Sequence, residues 1–149
     1  MPLVILSGWP CSGKTRFAEW LKLNLESVFE DIVFINDESL GVSKQTGYSD
    51  PASEKKSRAA FLAAVERQVS ADRLVIADGL NDIKGFRYQL YCLARACSTP
   101  HACVHVITSE ADCRSRNDLC SRYSDRVIAD MILRYEEPNG QNRWDSPLY

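Results

Sequence analysis

Eight consecutive residues, Gly8-Trp9-Pro10-Cys11-Ser12-Gly13-Lys14-Thr15, constrain the fold of this chain more than any other part of it. They follow a short apolar run at 3 to 7 without polar alternation, which reads as a strand covered on both faces. They precede a stretch from 14 to 28 whose apolar residues Phe17, Leu21, Leu25 and Val28 recur near one helical face. A glycine near each end lets the backbone curl so that its N–H groups face inward around phosphate oxygens. Lys14 adds positive charge for the β and γ phosphates of a nucleotide, and the Thr15 hydroxyl can ligate magnesium. A helix starting at Lys14 directs its positive end at the same anion. The pattern GxxxxGK[ST] also arises by chance, as a glycine turn carrying an exposed lysine. Its place between a strand and a helix argues for the phosphate reading. Trp9, inside the loop, either shields the turn or stacks on a ligand.

The rest of the chain repeats the same alternation. Apolar runs at 32 to 36, 73 to 78 and 102 to 108 read as strands. Helical patterns fall at 52 to 70, with Phe61, Leu62, Val65 and Val69 as the buried stripe, and at 83 to 96 and 124 to 135. Residues 38 to 53 read as a polar loop, 109 to 117 as a short helix or lid, and 137 to 149 as a tail without a regular element. Strands separated by helices mean βα units and a parallel sheet, here the α/β/α fold of P-loop NTPases. A chain of 149 residues makes one domain and buries about two-thirds of its extended surface. With 45% apolar and 26% charged residues it is globular, and no apolar run is long enough to span a membrane. The apolar start has no basic residues before it and is read as a strand, not a signal peptide. Six cysteines without a CxxC pair argue against a zinc or iron–sulfur cage and for free thiols in a reducing compartment.

Two acids stand where strands end. Asp78 closes the third strand, placed either to hold magnesium opposite Thr15 or to cap the next turn. Asp37 ends the second strand, where it suits a base for an attacking hydroxyl or water, a magnesium ligand, or a simple cap. The net charge of −2 excludes a wholesale polybasic binder but not a local basic site. Lys55, Lys56 and Arg58 are either solvated helix surface or a docking point for a phosphate polymer such as RNA. Every lysine lies at or before Lys84, whereas Arg114, Arg116, Arg122 and Arg126 crowd one later stretch. Arginine's fork suits a transferring phosphoryl group, so this stretch reads as a lid over a triphosphate, unless Asp118, Asp125 and Asp130 neutralise it. Arg122 and Arg126, spaced i,i+4, share a face if one helix spans them. Arg116 and Asn117 are expected near the adenine. His105, in mid-strand, reads as packed, and Arg87 and Tyr88 as surfacing near Asp78.

The chain resembles the N-terminal nucleotide-binding domain of the Elongator-associated killer toxin insensitivity protein twelve family. The likeness is carried by MPLVILSGWPCSGKT, INDES at 35 to 39, EKKSR at 54 to 58, LNDIKGFRYQLYCLAR at 80 to 95 and NRWDSPLY at 142 to 149. That family is similar to O-phosphoseryl-tRNA(Sec) kinase. The resemblance implies a kinase-like P-loop fold with strand order 2-3-1-4, a possible fifth edge strand, and a lid. It implies ATP/ADP and Mg2+ as cofactors and hydrolysis stimulated by tRNA. The implied role is Elongator-dependent tRNA wobble-uridine modification in the cytoplasm, with the nucleus as a second possible site. Carried over, the site is Gly8 to Thr15, Asp37, Asp78, Arg122 and Arg126, with Arg58 and Arg87 as possible RNA contacts. A kinase acting on seryl-tRNA or a polynucleotide and a nucleotide-dependent interaction module are the alternatives. Two departures stand out. Gly79-Leu80-Asn81-Asp82 replaces a sequence closer to SLNY, and the family's helical, tRNA-binding C-terminal domain has no counterpart in these residues.

Overall fold

A computed structural model describes residues 2–149. Four strands, β1 (Leu3–Ser7), β2 (Ile32–Asn36), β3 (Leu74–Asp78) and β4 (His101–His105), form one parallel sheet in the order β2-β3-β1-β4. Leu3 is in register with Val75 on one side and His101 on the other. Helices α1 (Lys14–Leu25), α2 (Pro51–Gln68), α3 (Lys84–Ala96), α4 (Glu110–Cys120) and α5 (Asp125–Arg134) fill the connections.

The two-residue period of the strands sorts their side chains onto two faces. Leu3, Ile5, Ile35, Val75 and Ala77 pack against Phe61 and Val65 of α2 and Phe86 and Leu90 of α3. Val4, Leu6, Leu74 and Ile76 face Ala18, Phe17, Leu21 and Leu25 of α1. That double burial is why β1 and β3 read as unbroken apolar runs. A third cluster, Tyr48, Leu80, Tyr123, Ile128 and Met131, seats α5 over the C-terminal end of the sheet.

Several boundaries differ from the sequence reading. Helix α1 stops at Leu25 and leaves Val28 exposed in the following turn. Helix α2 starts at Pro51, because the Asp50 carboxylate caps it by accepting from the Ser53 N–H at 2.9 Å. Strand β4 ends at His105, three residues early, and α4 runs to Cys120, three residues late. The tail is not irregular throughout. Cys103 N–H donates to Pro147 O, Tyr149 N–H to Cys103 O, and His105 N–H to Tyr149 O, at 2.8 to 3.0 Å. The expected fifth edge element is therefore a parallel bridge at Leu148. All six cysteines are free, but only Cys103 and Cys113 are buried as small hydrophobes; Cys92, Cys97 and Cys120 are exposed. No helix among the described residues is long and apolar enough to cross a membrane.

Candidate functional site

The C-terminal ends of β1, β2 and β3 open into a cavity of about 570 Å³ whose floor is the loop from Pro10 to Thr15. The loop closes onto α1 through Gly13, whose φ of 101° lies in a region that side chains rarely enter. Lys14 is buried, and its ammonium donates to Gly8 O at 2.9 Å and Trp9 O at 2.7 Å. Burial lowers the Lys14 pKa to about 8, against the opposing pull of Asp78. The Thr15 hydroxyl donates to Asp78 Oδ2 at 2.6 Å, so the phosphate loop and the end of β3 meet directly. Burial raises the Asp78 pKa, which the Thr15 bond and the Lys14 charge partly offset.

Asp37 is buried at the end of β2 and lines the same cavity. The Tyr48 hydroxyl donates to its carboxylate, 2.8 and 2.9 Å from the two oxygens. Burial raises the Asp37 pKa, and the Tyr48 bond and the charges of Lys44 and Lys14 pull it back. A smaller chamber of about 320 Å³ adjoins the cavity and shares Thr15, Asp37, Lys44 and Arg122 with it. Lys44 and Tyr48 went unread in the sequence, although they are the lone lysine and the lone aromatic residue of the polar loop at 38 to 50.

The arginine-rich stretch is arranged differently from the reading above. Arg122 and Arg126 do not share a helix. Chain direction changes at Ser121, in left-handed conformation with φ 46°, and Ser124 caps a new helix by accepting from Val127 N–H. Arg122 stays in the cavity wall, whereas Arg126 lines a separate groove with Ser49 and Asp50. Arg116 clasps the phosphate loop itself, donating to Cys11 O at 3.2 Å and Ser12 O at 3.0 Å. Asn117 is buried and closes the turn after α4 by bonding Tyr123 N and O, both at 2.9 Å. Trp9 lies edge-on to Tyr135, with ring centroids 6.5 Å apart.

Of the basic residues assigned to RNA, Lys55 and Lys56 are exposed. Arg58 is committed to Glu54 at 2.7 Å and Asp82 at 2.8 Å. Arg87 does not reach the surface at all. It is fully buried and paired with Asp145 at 2.7 Å, a partner 58 residues away. His105 packs as expected, stacked on Tyr135. Gly79 and Asp82, within the departing segment, each have a local reason. A Cβ at Gly79 would stand 2.8 Å from the Phe61 ring, and Asp82 is the ion-pair partner of Arg58.

Among the described residues no three His, Cys, Asp or Glu side chains converge as a metal cage. The Thr15 hydroxyl with the Asp78 and Asp37 carboxylates offers oxygen donors alone. That set suits magnesium, which keeps most of its water and binds through one or two carboxylates.

The family model described as chromatin associated protein KTI12 matches residues 1–149. The chain belongs to this family. Protein kti12 of Schizosaccharomyces pombe is 43% identical over 159 residues, and the KTI12 homolog of Danio rerio 42% over 154; each alignment takes in the whole chain. The chain spans little more than half the length, 56%, of each of these two curated relatives. The crystal structure of Chaetomium thermophilum Kti12 in complex with ADP-AlF3 superimposes with a TM-score of 0.91 at 38% identity, covering 99% of this chain and 87% of that one. Mycobacterium tuberculosis APS kinase CysC, in complex with AMPPNP and APS, shares the fold at a TM-score of 0.64 and 15% identity, with 97% and 91% covered. The KTI12 domain is thus a P-loop, kinase-like α/β/α unit with the strand order 2-3-1-4.

Proposed function

We propose that this domain binds ATP with magnesium and hydrolyses it. The observation that carries the reading is the Thr15–Asp78 hydrogen bond at 2.6 Å, beside the buried Lys14 ammonium and across the cavity from Asp37. ADP-AlF3, bound by the Chaetomium relative, mimics a phosphoryl group in transfer, which supports turnover as well as binding. In this scheme the phosphates displace the Gly8 and Trp9 carbonyl oxygens as partners of Lys14. Lys44 and Arg122 add positive charge beside the negative charge that develops on the transferred group. Asp37, held by Tyr48 with a raised pKa, orients and deprotonates the attacking water. Thr15 and Asp78, with Asp37 nearby, would hold magnesium, which would supply neutralisation of the phosphates' negative charge.

For members of the family that span the relatives' full length, we place this turnover in tRNA wobble-uridine modification, with tRNA and Elongator as partners and with RNA stimulation supplied by the part of those relatives that this chain does not span. Family membership supports that assignment. The test is hydrolysis of γ-labelled ATP by this domain and by a longer family member that spans the relatives' full length, each with and without tRNA. We expect free phosphate from both and stimulation of the longer form alone. Label transferred to the tRNA would replace the hydrolase with a kinase, and binding without turnover would leave a nucleotide-dependent interaction module.

A further inference from the structure

The two segments that most sharply mark this chain, LNDIKGFRYQLYCLAR and NRWDSPLY, line the cavity only through Leu80, yet the fold joins them beside the start of the phosphate loop. Arg87 of the first and Asp145 of the second are both fully buried and joined by two bonds, Nε to Oδ1 at 2.7 Å and Nη2 to Oδ2 at 3.5 Å. The third arm of the guanidinium, Nη1, donates to Asn81 O at 2.9 Å. That carbonyl takes a second donor, the Ser7 hydroxyl, also at 2.9 Å. Ser7 is the residue before Gly8, so Arg87 and the residue that leads into the phosphate loop are separated by a single shared acceptor.

Asn81 secures the same corner with its side chain. It has a left-handed backbone, φ 46°, and its Nδ2 donates to Leu6 O at 2.7 Å and Ala77 O at 3.1 Å. One amide therefore ties β1 to β3 where the two strands part to form the site. The tail reaches the loop by a second path. The Tyr135 hydroxyl lies 3.0 Å from Ser7 Oγ, and its ring supports Trp9 edge-on. Trp9 O is in turn one of the two carbonyls that hold the Lys14 ammonium. A buried ion pair is weak evidence for stability, since an apolar pair of similar volume often folds as well. Its position here has a more specific consequence.

We propose that Arg87, fixed by Asp145, is a positioning residue for the phosphate loop, and that the segment from Tyr135 to Asp145 sets nucleotide affinity without touching nucleotide. The segment acts as a strap: it fixes the carbonyl of Asn81, Asn81 and Tyr135 fix Ser7, and Ser7 fixes the start of the loop. A nucleotide held through loop N–H groups loses affinity when those groups are no longer preorganised. Turnover of nucleotide already bound depends on Asp37, Thr15 and Asp78, which the strap does not contact, so it is little changed.

The proposal rests on the nucleotide-binding reading above, and the test separates the two. The double variant Arg87→Met/Asp145→Leu removes the link while leaving no unpaired buried charge; Tyr135→Phe removes the second path by one oxygen atom. The measurements are the Kd for a fluorescent ADP analogue, kcat at saturating ATP, and hydrogen exchange at the Ser7, Gly8 and Trp9 amides without nucleotide. We expect Kd to rise about tenfold in the double variant and about threefold in Tyr135→Phe, kcat to stay within about twofold, and exchange at 7 to 9 to quicken in both. A Kd within about twofold of the parent in Tyr135→Phe and in a folded double variant overturns the proposal, whatever happens to thermal stability. So does a drop in kcat matching the rise in Kd. If the double variant does not fold, Tyr135→Phe decides alone. Failure of the parent domain to bind the ADP analogue, with exchange at 7 to 9 still responding, would instead overturn the nucleotide reading and leave the mechanical link standing.

Discussion

Asp37 shows at the scale of one residue how a site is held at the expense of the fold. Its folded pKa is raised by burial, so the ionised form present at neutral pH is less stable in the native state than in the unfolded chain. By linkage its favourable contribution is complete below the unfolded value, near pH 4, and is lost as pH rises through the raised value. Asp37→Asn keeps the shape and removes the charge, and its amide oxygen can still accept from Tyr48. We expect this variant to melt about 2–4 °C higher at pH 7 by calorimetry. Turnover should fall by about 100-fold or more while ADP affinity is nearly unchanged. Unaltered hydrolysis would remove Asp37 from the reaction. Thr15 and Asp78 were legible in the sequence because each follows directly from a periodic element: a strand end has a definite direction, and so does the first turn of a helix. Lys44 and Tyr48 were not, because an irregular loop carries no period from which to read direction. Arg87 was misread for another reason. Nothing local to GFRY announces that an aspartate 58 residues later will bury with it.

Among the elements, helix α5 is tied to α2 by one carboxylate. Glu54 of α2 accepts from Arg58 Nη2 at 2.7 Å and from both terminal nitrogens of Arg134 at 3.1 Å. Burial works against the ionised form, but the bonds from Arg134 and Arg58 outweigh it and hold the Glu54 pKa below its ordinary value. A depressed folded pKa gives stability that is present above the unfolded value, about 4.5, and is lost as pH falls through the folded one. Glu54→Gln should therefore cost about 1–2 kcal/mol at pH 7, a melting point lower by roughly 4 °C. The gap to the parent should close as the pH is taken below about 4. A gap that persists in acid would mean that packing, not charge, holds α5. The helices themselves were readable from their apolar spacing. The break between α4 and α5 was not, because i,i+4 arithmetic assumes a continuous helix, and the left-handed Ser121 interrupts it. Ser124 with an acid next to it was the available signal: a capping residue marks a new start.

For the molecule as a whole, the order 2-3-1-4 puts β1 and β3 in the interior, so the phosphate loop leaves the sheet from one of its two fully buried strands. The order leaves β2 and β4 at the rims. At the β4 rim the final residues of the chain occupy Cys103 N–H and O and His105 N–H. Without Pro147, Leu148 and Tyr149 those groups would form an unpaired, partly apolar border of the kind that recruits strands from other molecules. A chain ending at Ser146 should then self-associate with time, visible by light scattering at concentrations where the longer chain stays monodisperse. Monodispersity of the shortened chain would show that β4 is too short to serve as a template. In this domain the last three residues act as a guard against aggregation.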